Sequence, residues 1–192
     1  MATIDAGVEV RTVTAQPLTV EAFKPFGDVI SVEGRERLPI DLYGDAVDVF
    51  RADFEADEPI EFLLTRGKVR PFEVLFLERH FNLTQTFFPM GGVPFISVVA
   101  APDARLEDEV PATEDVRAFI VPGSVAVNLH KGTWHEPPFP LVDGQVIAYT
   151  SHAALTAGLG SNLDARKNIN QLDVDKRNIK ENAGYRLRVV LP

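Results

Sequence analysis

A chain of 192 residues with 45% hydrophobic and 24% charged content is large enough to bury one core without a second folding unit. Its formal charge of −9, from 19 basic against 28 acidic residues with no dense basic run, disfavours nucleic acid and anionic membrane as partners. The absence of cysteine excludes disulfides, thiolate metal sites and cysteine nucleophiles, so any metal must be held by His, Asp or Glu.

The chain opens on "MATIDAGVEVRTVTAQ", which lacks a basic stretch followed by an apolar core. Nowhere does it reach the roughly 18 apolar residues of a membrane span, so a cytoplasmic protein is expected. The first predicted strand, "VEVRTVTA", leads into "TVEAFKPFG", where Thr19 is a candidate N-cap and Gly27 a stop, predicting a short helix. Further strands are predicted at "FGDVISV", "VDVFRADF", "IEFLLTRG" and "FEVLFLERH".

In the last of these an apolar strand suddenly carries Glu78 and His80. Residues two apart in a strand point the same way, so Phe76, Glu78 and His80 share a face and Arg79 points opposite. A turn around Asn82 follows, Gln85 opens the next apolar run, and "TFFPM" reads as core. After "PFISVVAA", residues 101–116 are acidic and proline-containing and are read as a surface loop.

"VRAFIVP" precedes "SVAVNLHKGTWHEPP", in which the same alternation puts Asn128 and His130 on one face. Lys131 leaves it at the strand end, and His135 returns after a turn at Gly132. Trp134 reads as a packing anchor and His152, after the strand "QVIAYTS", as a structural histidine. Residues 159–184 form a polar, Asn-rich excursion (a tail, a lid or a dimer arm) before a last strand, "YRLRVVL".

Many short strands and few helical signals predict an all-β sandwich or barrel, read as a single domain over residues 1–192. Polar residues facing inward from two strands of an apolar β-protein are costly unless hydrogen-bonded, metal-bound or lining a wet cavity. Glu78, His80, Asn128 and His130 are therefore candidate functional residues.

"LERHFNLTQTFFPM" and "VNLHKGTWHEPPF" together resemble the ureidoglycolate lyase family, whose members carry Glu-Arg-His…Gln followed by Val-Asn-x-His…Trp-His. "FKPFGDVI" and "DVRAFIV" extend the resemblance over about residues 17 to 150. It implies a cupin-like β-barrel (RmlC-like jelly roll) with one or two short helices, a homodimer, and release of urea from ureidoglycolate to give glyoxylate in allantoin breakdown. The cupin layout implies metal ligands at Glu78, His80, Gln85 and His130, a donor set suited to Mn, Fe, Ni or Zn.

Cleavage of this carbinol-urea needs a base for the hydroxyl proton and an acid for the leaving nitrogen, roles that imidazoles fill near neutral pH. The expected proton-handling pair is His130 and His80, with Glu78 orienting and His135 as reserve acid. Asn128 and Gln85 are expected on the ureido group, and Arg51 or Lys131 against the substrate carboxylate. Thr150 and Ser151 stand where the family has Asp-Arg, which makes another small hydroxy or keto acid the alternative substrate for a cupin-type lyase, hydrolase or isomerase. A non-enzymatic small-ligand barrel is a further alternative.

Overall fold

The computed structural model describes residues 7–40 and 43–192; residues 1–6, within the segment read as lacking a leader, lie outside the described residues. The chain order begins β1 (Glu9–Pro17), α1 (Val20–Phe23), β2 (Gly27–Ile30), β3 (Ile60–Gly67), β4 (Glu73–Val74), β5 (Phe76–His80), β6 (Gln85–Pro89) and β7 (Phe95–Ala100). It continues with β8 (Leu106–Glu107), β9 (Val110–Pro111), β10 (Val116–Val121), β11 (Ala126–Leu129), β12 (Trp134–Pro140) and β13 (Gln145–His152). It closes with α2 (Ala153–Leu159), β14 (Ile169–Gln171), β15 (Val174–Asn178), α3 (Ile179–Ala183) and β16 (Tyr185–Val190). No described helix is long and apolar enough to cross a membrane.

The fold is mainly β: a nine-stranded sheet, β14-β15-β5-β12-β7-β10-β1-β16-β4, and a five-stranded sheet, β2-β11-β6-β13-β3, curl into a half-barrel. Strand alternation explains two cores. On β7, Phe95 and Val99 face the five-stranded sheet and pack with Phe87, Val127 and Phe119, while Ile96, Val98 and Ala100 face the opposite way toward Trp134, Phe139 and Leu187. Both faces of β7 are thus buried, which is why its sequence is apolar apart from Ser97 rather than alternating.

Thr19 caps α1 as expected, its hydroxyl accepting from Ala22 N–H at 3.1 Å. Four features depart from expectation. "VDVFRADF" forms no ladder strand and lies outside the named strands; Phe50 makes an isolated bridge with Arg37, and the Leu38 N–H donates to the Val49 carbonyl at 2.8 Å. β12 was hidden by Pro137 and Pro138, which the ladder accommodates through a register shift between Glu136 and Phe139. The acidic loop of residues 101–116 contains the β8–β9 hairpin.

Residues 159–184 hold the fourth departure. This segment supplies β14, β15 and α3, and β15 pairs along the whole of β5, so that the polar excursion is built into the main sheet. The α-helices are few and short, three among the described residues.

Candidate active site

Three adjacent strands set the site. Lys176 on β15 lies directly across from Glu78 on β5, and Glu78 directly across from His135 on β12, which makes a row Lys176, Glu78, His135 across the sheet. Directly opposed side chains are the closest neighbours a sheet provides. Alternation along β5 adds His80 to the same face. It sends Leu77 and Arg79 to the other, where the Arg79 guanidinium lies 4.2 Å over the Trp134 ring.

His135 Nε2 is 3.7 Å from Glu78 Oε1, Lys176 Nζ is 3.4 Å from Glu78 Oε2, and the His80 and His135 ring centroids are 5.5 Å apart. His80 and His135 are buried, whereas the Glu78 side chain keeps 18% exposure, which gives the group contact with solvent.

Protonation follows from the surroundings. His135 Nδ1 lies 3.1 Å from the Thr133 carbonyl, a contact that only an N–H can make, so a neutral His135 carries its lone pair on Nε2. Burial pushes His135 down to about 4, with Glu78 pulling the other way and His80 adding to the fall, so the ring is neutral at pH 7. For Glu78, burial alone would raise the carboxyl. Lys176, His135 and His80 together outweigh it and hold Glu78 below the usual carboxylate range.

Glu78, His80 and His135 each offer one ligand atom within 4.8 Å of the others. His135 Nε2 is buried without a hydrogen-bond partner, and a carbonyl stands behind that ring as in many histidine metal ligands. This oxygen and imidazole set fits a divalent ion, with Lys176 the competing cation at Glu78.

The structure brings together Glu78, His80 and His135, and it does not bring His130 to them. β11 ends at Leu129, and the chain turns through Gly132, whose φ of +82° is the left-handed region that glycine favours. His130 is left exposed, its Nε2 3.2 Å from the Lys24 carbonyl.

Asn128 alternates away from Val127 and Leu129, which face the core between the sheets, and is consumed in packing on the opposite face: its Oδ1 accepts from Thr86 Oγ1 at 2.7 Å and its Nδ2 donates to the Asp53 carbonyl at 2.6 Å. Gln85 Nε2 donates to the Thr150 carbonyl at 3.1 Å, while its buried Oε1 has no partner. Gln85 shares a face with Phe87, whose ring centroid is 5.8 Å from that of His135. Lys131 is held at the rim by Asp57 at 2.9 Å and Glu55 at 3.4 Å. Arg51 is exposed, in the segment outside the sheets, and lines an open groove of about 520 Å³ with Arg35 and Arg37. Thr150 Oγ1 accepts from Thr86 N–H at 3.0 Å, a tie between strands.

Sequence reasoning missed three residues at the site. Lys176 and Asp173 lie in the segment read as a polar excursion, where their charges looked like solvation. Tyr149 stacks on Phe87 with centroids 6.0 Å apart, and burial, then Glu78 and Glu61, push its hydroxyl above the usual range. Only the alternation of Val174 and Lys176 in "VDKRN" hinted at a strand with one face inward.

The sequence profile described as ureidoglycolate lyase matches residues 10–177. A ureidoglycolate lyase of Burkholderia mallei (strain NCTC 10229) is 40% identical over 134 residues, covering 66% of this chain and 74% of that protein. One of Pseudomonas fluorescens (strain Pf0-1) is 37% identical over 132 residues, covering 66% and 76%. Among solved structures, RmlC from Streptococcus suis aligns over 48% of this chain and 42% of its own at 11% identity, with a TM-score of 0.28.

Proposed function

The chain belongs to the ureidoglycolate lyase family, and from that premise we propose that it cleaves ureidoglycolate to glyoxylate and urea at the Glu78–His80–His135 group. The observation that carries the site is the row across β15, β5 and β12, which sets a carboxylate held ionised beside an imidazole held neutral.

Cleavage moves one proton: the substrate hydroxyl loses it as the carbon–oxygen double bond forms, and the urea nitrogen gains it as the carbon–nitrogen bond breaks. A neutral imidazole can accept it and hand it on, so a single base suffices. His135, kept neutral by burial and with its Nε2 lone pair free, is the base in this reading rather than a reserve acid. His80 beside it is the second proton carrier, and Glu78 stabilises whichever ring is transiently charged. Lys176 is the buried cation nearest the group and takes the substrate carboxylate, the role expected of Arg51 or Lys131. Gln85, through its free Oε1, accepts from the ureido N–H groups. As an alternative to His135 acting as base, Glu78, His80 and His135 would hold a divalent ion through the same lone pairs, and it would supply Lewis acidity toward the substrate oxygens.

A cytoplasmic homodimer belongs to the same reading, and the exposed apolar row on β3 supports the dimer. The direct test incubates the protein with ureidoglycolate and follows glyoxylate before and after chelation. Turnover above the spontaneous rate in either state is expected; none in both would remove the substrate assignment. The second reading, another small hydroxy or keto acid, is favoured by one observation: Thr150 and Ser151 stand where the family has Asp-Arg, and the Thr150 hydroxyl is spent on the Thr86 N–H. Turnover of such an acid in a substrate screen, without ureidoglycolate turnover, would establish it.

A further inference from the structure

Behind His80, on the side away from Glu78, lies a second buried cluster. Asp173 occupies the turn between β14 and β15 and is 3% exposed. Its Oδ1 accepts from the backbone N–H groups of Phe81 at 3.0 Å and Asn82 at 2.6 Å, which fixes the carboxylate. Its Oδ2 lies 3.3 Å from His80 Nδ1 and 3.1 Å from His152 Nδ1. His152 ends β13 in the five-stranded sheet and Asp173 belongs to the nine-stranded one, so this contact spans the two sheets. The preceding residue, Leu172, is held at φ +56°, a conformation a branched side chain rarely adopts, and the turn it makes delivers Asp173 inward.

A carboxylate oxygen has two lone pairs and only accepts. Neither imidazole makes an aligned hydrogen bond to Oδ2, but a bare Nδ1 lone pair this close to it would be repelled, which favours the proton on Nδ1 of both rings, and a neutral His80 then has its lone pair on Nε2. We propose that Asp173 and His152 are positioning residues for His80: together they fix its Nδ1–H tautomer and ring orientation, so that its Nε2 lone pair stays available, within the group it forms with Glu78 and His135, to a proton or cation taken up there. This rests on the reading of Glu78, His80 and His135 as the reacting group. His152 pins the Oδ2 edge of the carboxylate from the opposite sheet while Phe81 and Asn82 pin Oδ1, and the hairpin of residues 169–178 becomes part of the site rather than a cover over it.

The test uses the full chain labelled with ¹⁵N-histidine and needs no substrate for its first arm. Long-range proton–nitrogen NMR is expected to show His80 protonated at Nδ1 and bare at Nε2. Asp173→Asn leaves one acceptor oxygen for two backbone donors and two imidazoles, so the His80 signals shift toward a mixture of tautomers. With ureidoglycolate, kcat falls by about 10- to 100-fold while KM changes little, the pattern for a residue acting through another. An Nε2–H tautomer in the unsubstituted protein, or wild-type signals and kcat in Asp173→Asn, overturns the proposal. Should Asp173→Asn fail to fold, His152→Gln reads the same signals, and unchanged His80 resonances with unchanged kcat there overturn it equally. A protein that shows the expected tautomer and its loss in the variant, yet releases no glyoxylate above the spontaneous rate, supports the positioning and overturns the ureidoglycolate reading alone.

Discussion

His135 and Glu136 are neighbours on β12 that face opposite layers, and burial drives their protonation in opposite senses. Burial pushes Glu136 up to about 7 against the pull of Arg70, whose guanidinium is 2.9 Å away, while it pushes His135 down to about 4. Between about 4 and 6.5 the unfolded chain binds more protons at His135 than the folded one, so that residue's contribution to stability grows with pH. Between about 4.5 and 7 the folded chain holds more at Glu136, so its contribution falls with pH. Each spans about 3 kcal/mol, and over their shared window they cancel. Glu136→Gln is therefore expected to lose stability as pH drops from 6.5 to 4.5, and His135→Gln to gain it, read as urea midpoints in the presence of chelator. Parallel slopes in the two variants would remove the assignment. A second residue-scale outcome separates the two histidines of the "HKGTWH" stretch. His135→Ala is expected to abolish glyoxylate release, and His130→Ala to leave kcat close to wild type, since His130 meets only a backbone carbonyl at the surface. Alternation correctly paired Glu78 with His80, but it carried His130 inward one residue past the strand's end. The stop at Leu129 is set by tertiary pairing with β2 and β6, which local sequence does not disclose.

At the scale of elements, the strands with continuous or alternating apolar runs, β3, β5, β7, β10, β13 and β16, could be read directly, because burial on one or both faces writes itself into the pattern. β12 could not, since its two prolines mimic a loop, and neither could β15, whose inward residues are Val174 and Lys176 amid charge. The cost of that second omission was half of the site. β15 brings Lys176 across from Glu78, and Lys176 stands first among the groups that lower Glu78 against burial. Lys176→Met keeps an unbranched apolar side chain and removes the ammonium group, whose Nζ lies 4.7 Å from the Phe76 ring centroid, so burial prevails and Glu78 protonates at higher pH. The acid limb of kcat/KM against pH is expected to move upward. If Lys176 also takes the substrate carboxylate, KM rises in the same variant. An unmoved acid limb would mean that Lys176 does not set the Glu78 charge.

For the whole molecule, the two sheets dispose of apolar surface unequally. β3 is the edge of the five-stranded sheet and alternates outward Ile60, Phe62 and Leu64, of which Phe62 keeps 62% and Leu64 67% exposure; Phe62 also rests on Phe88, centroids 5.6 Å apart. A contiguous outward apolar row on an edge strand is a surface that lone chains usually break with charge, and here Glu61 and Arg66 flank the row without interrupting it. A second copy of the chain presenting the same row would bury it reciprocally, as two-fold pairing requires. The protein is accordingly expected to sediment as two chains, and Leu64→Asp, which places a carboxylate at the most exposed residue of the row, to sediment as one. The active-site row lies on β5, β12 and β15 of the other sheet, so the single chain should keep its His80 tautomer and its fold. A wild-type protein that sediments as a single chain at all accessible concentrations would assign the β3 row to some other partner, whereas loss of activity in a folded Leu64→Asp monomer would mean that the half-barrel needs its neighbour to complete the site.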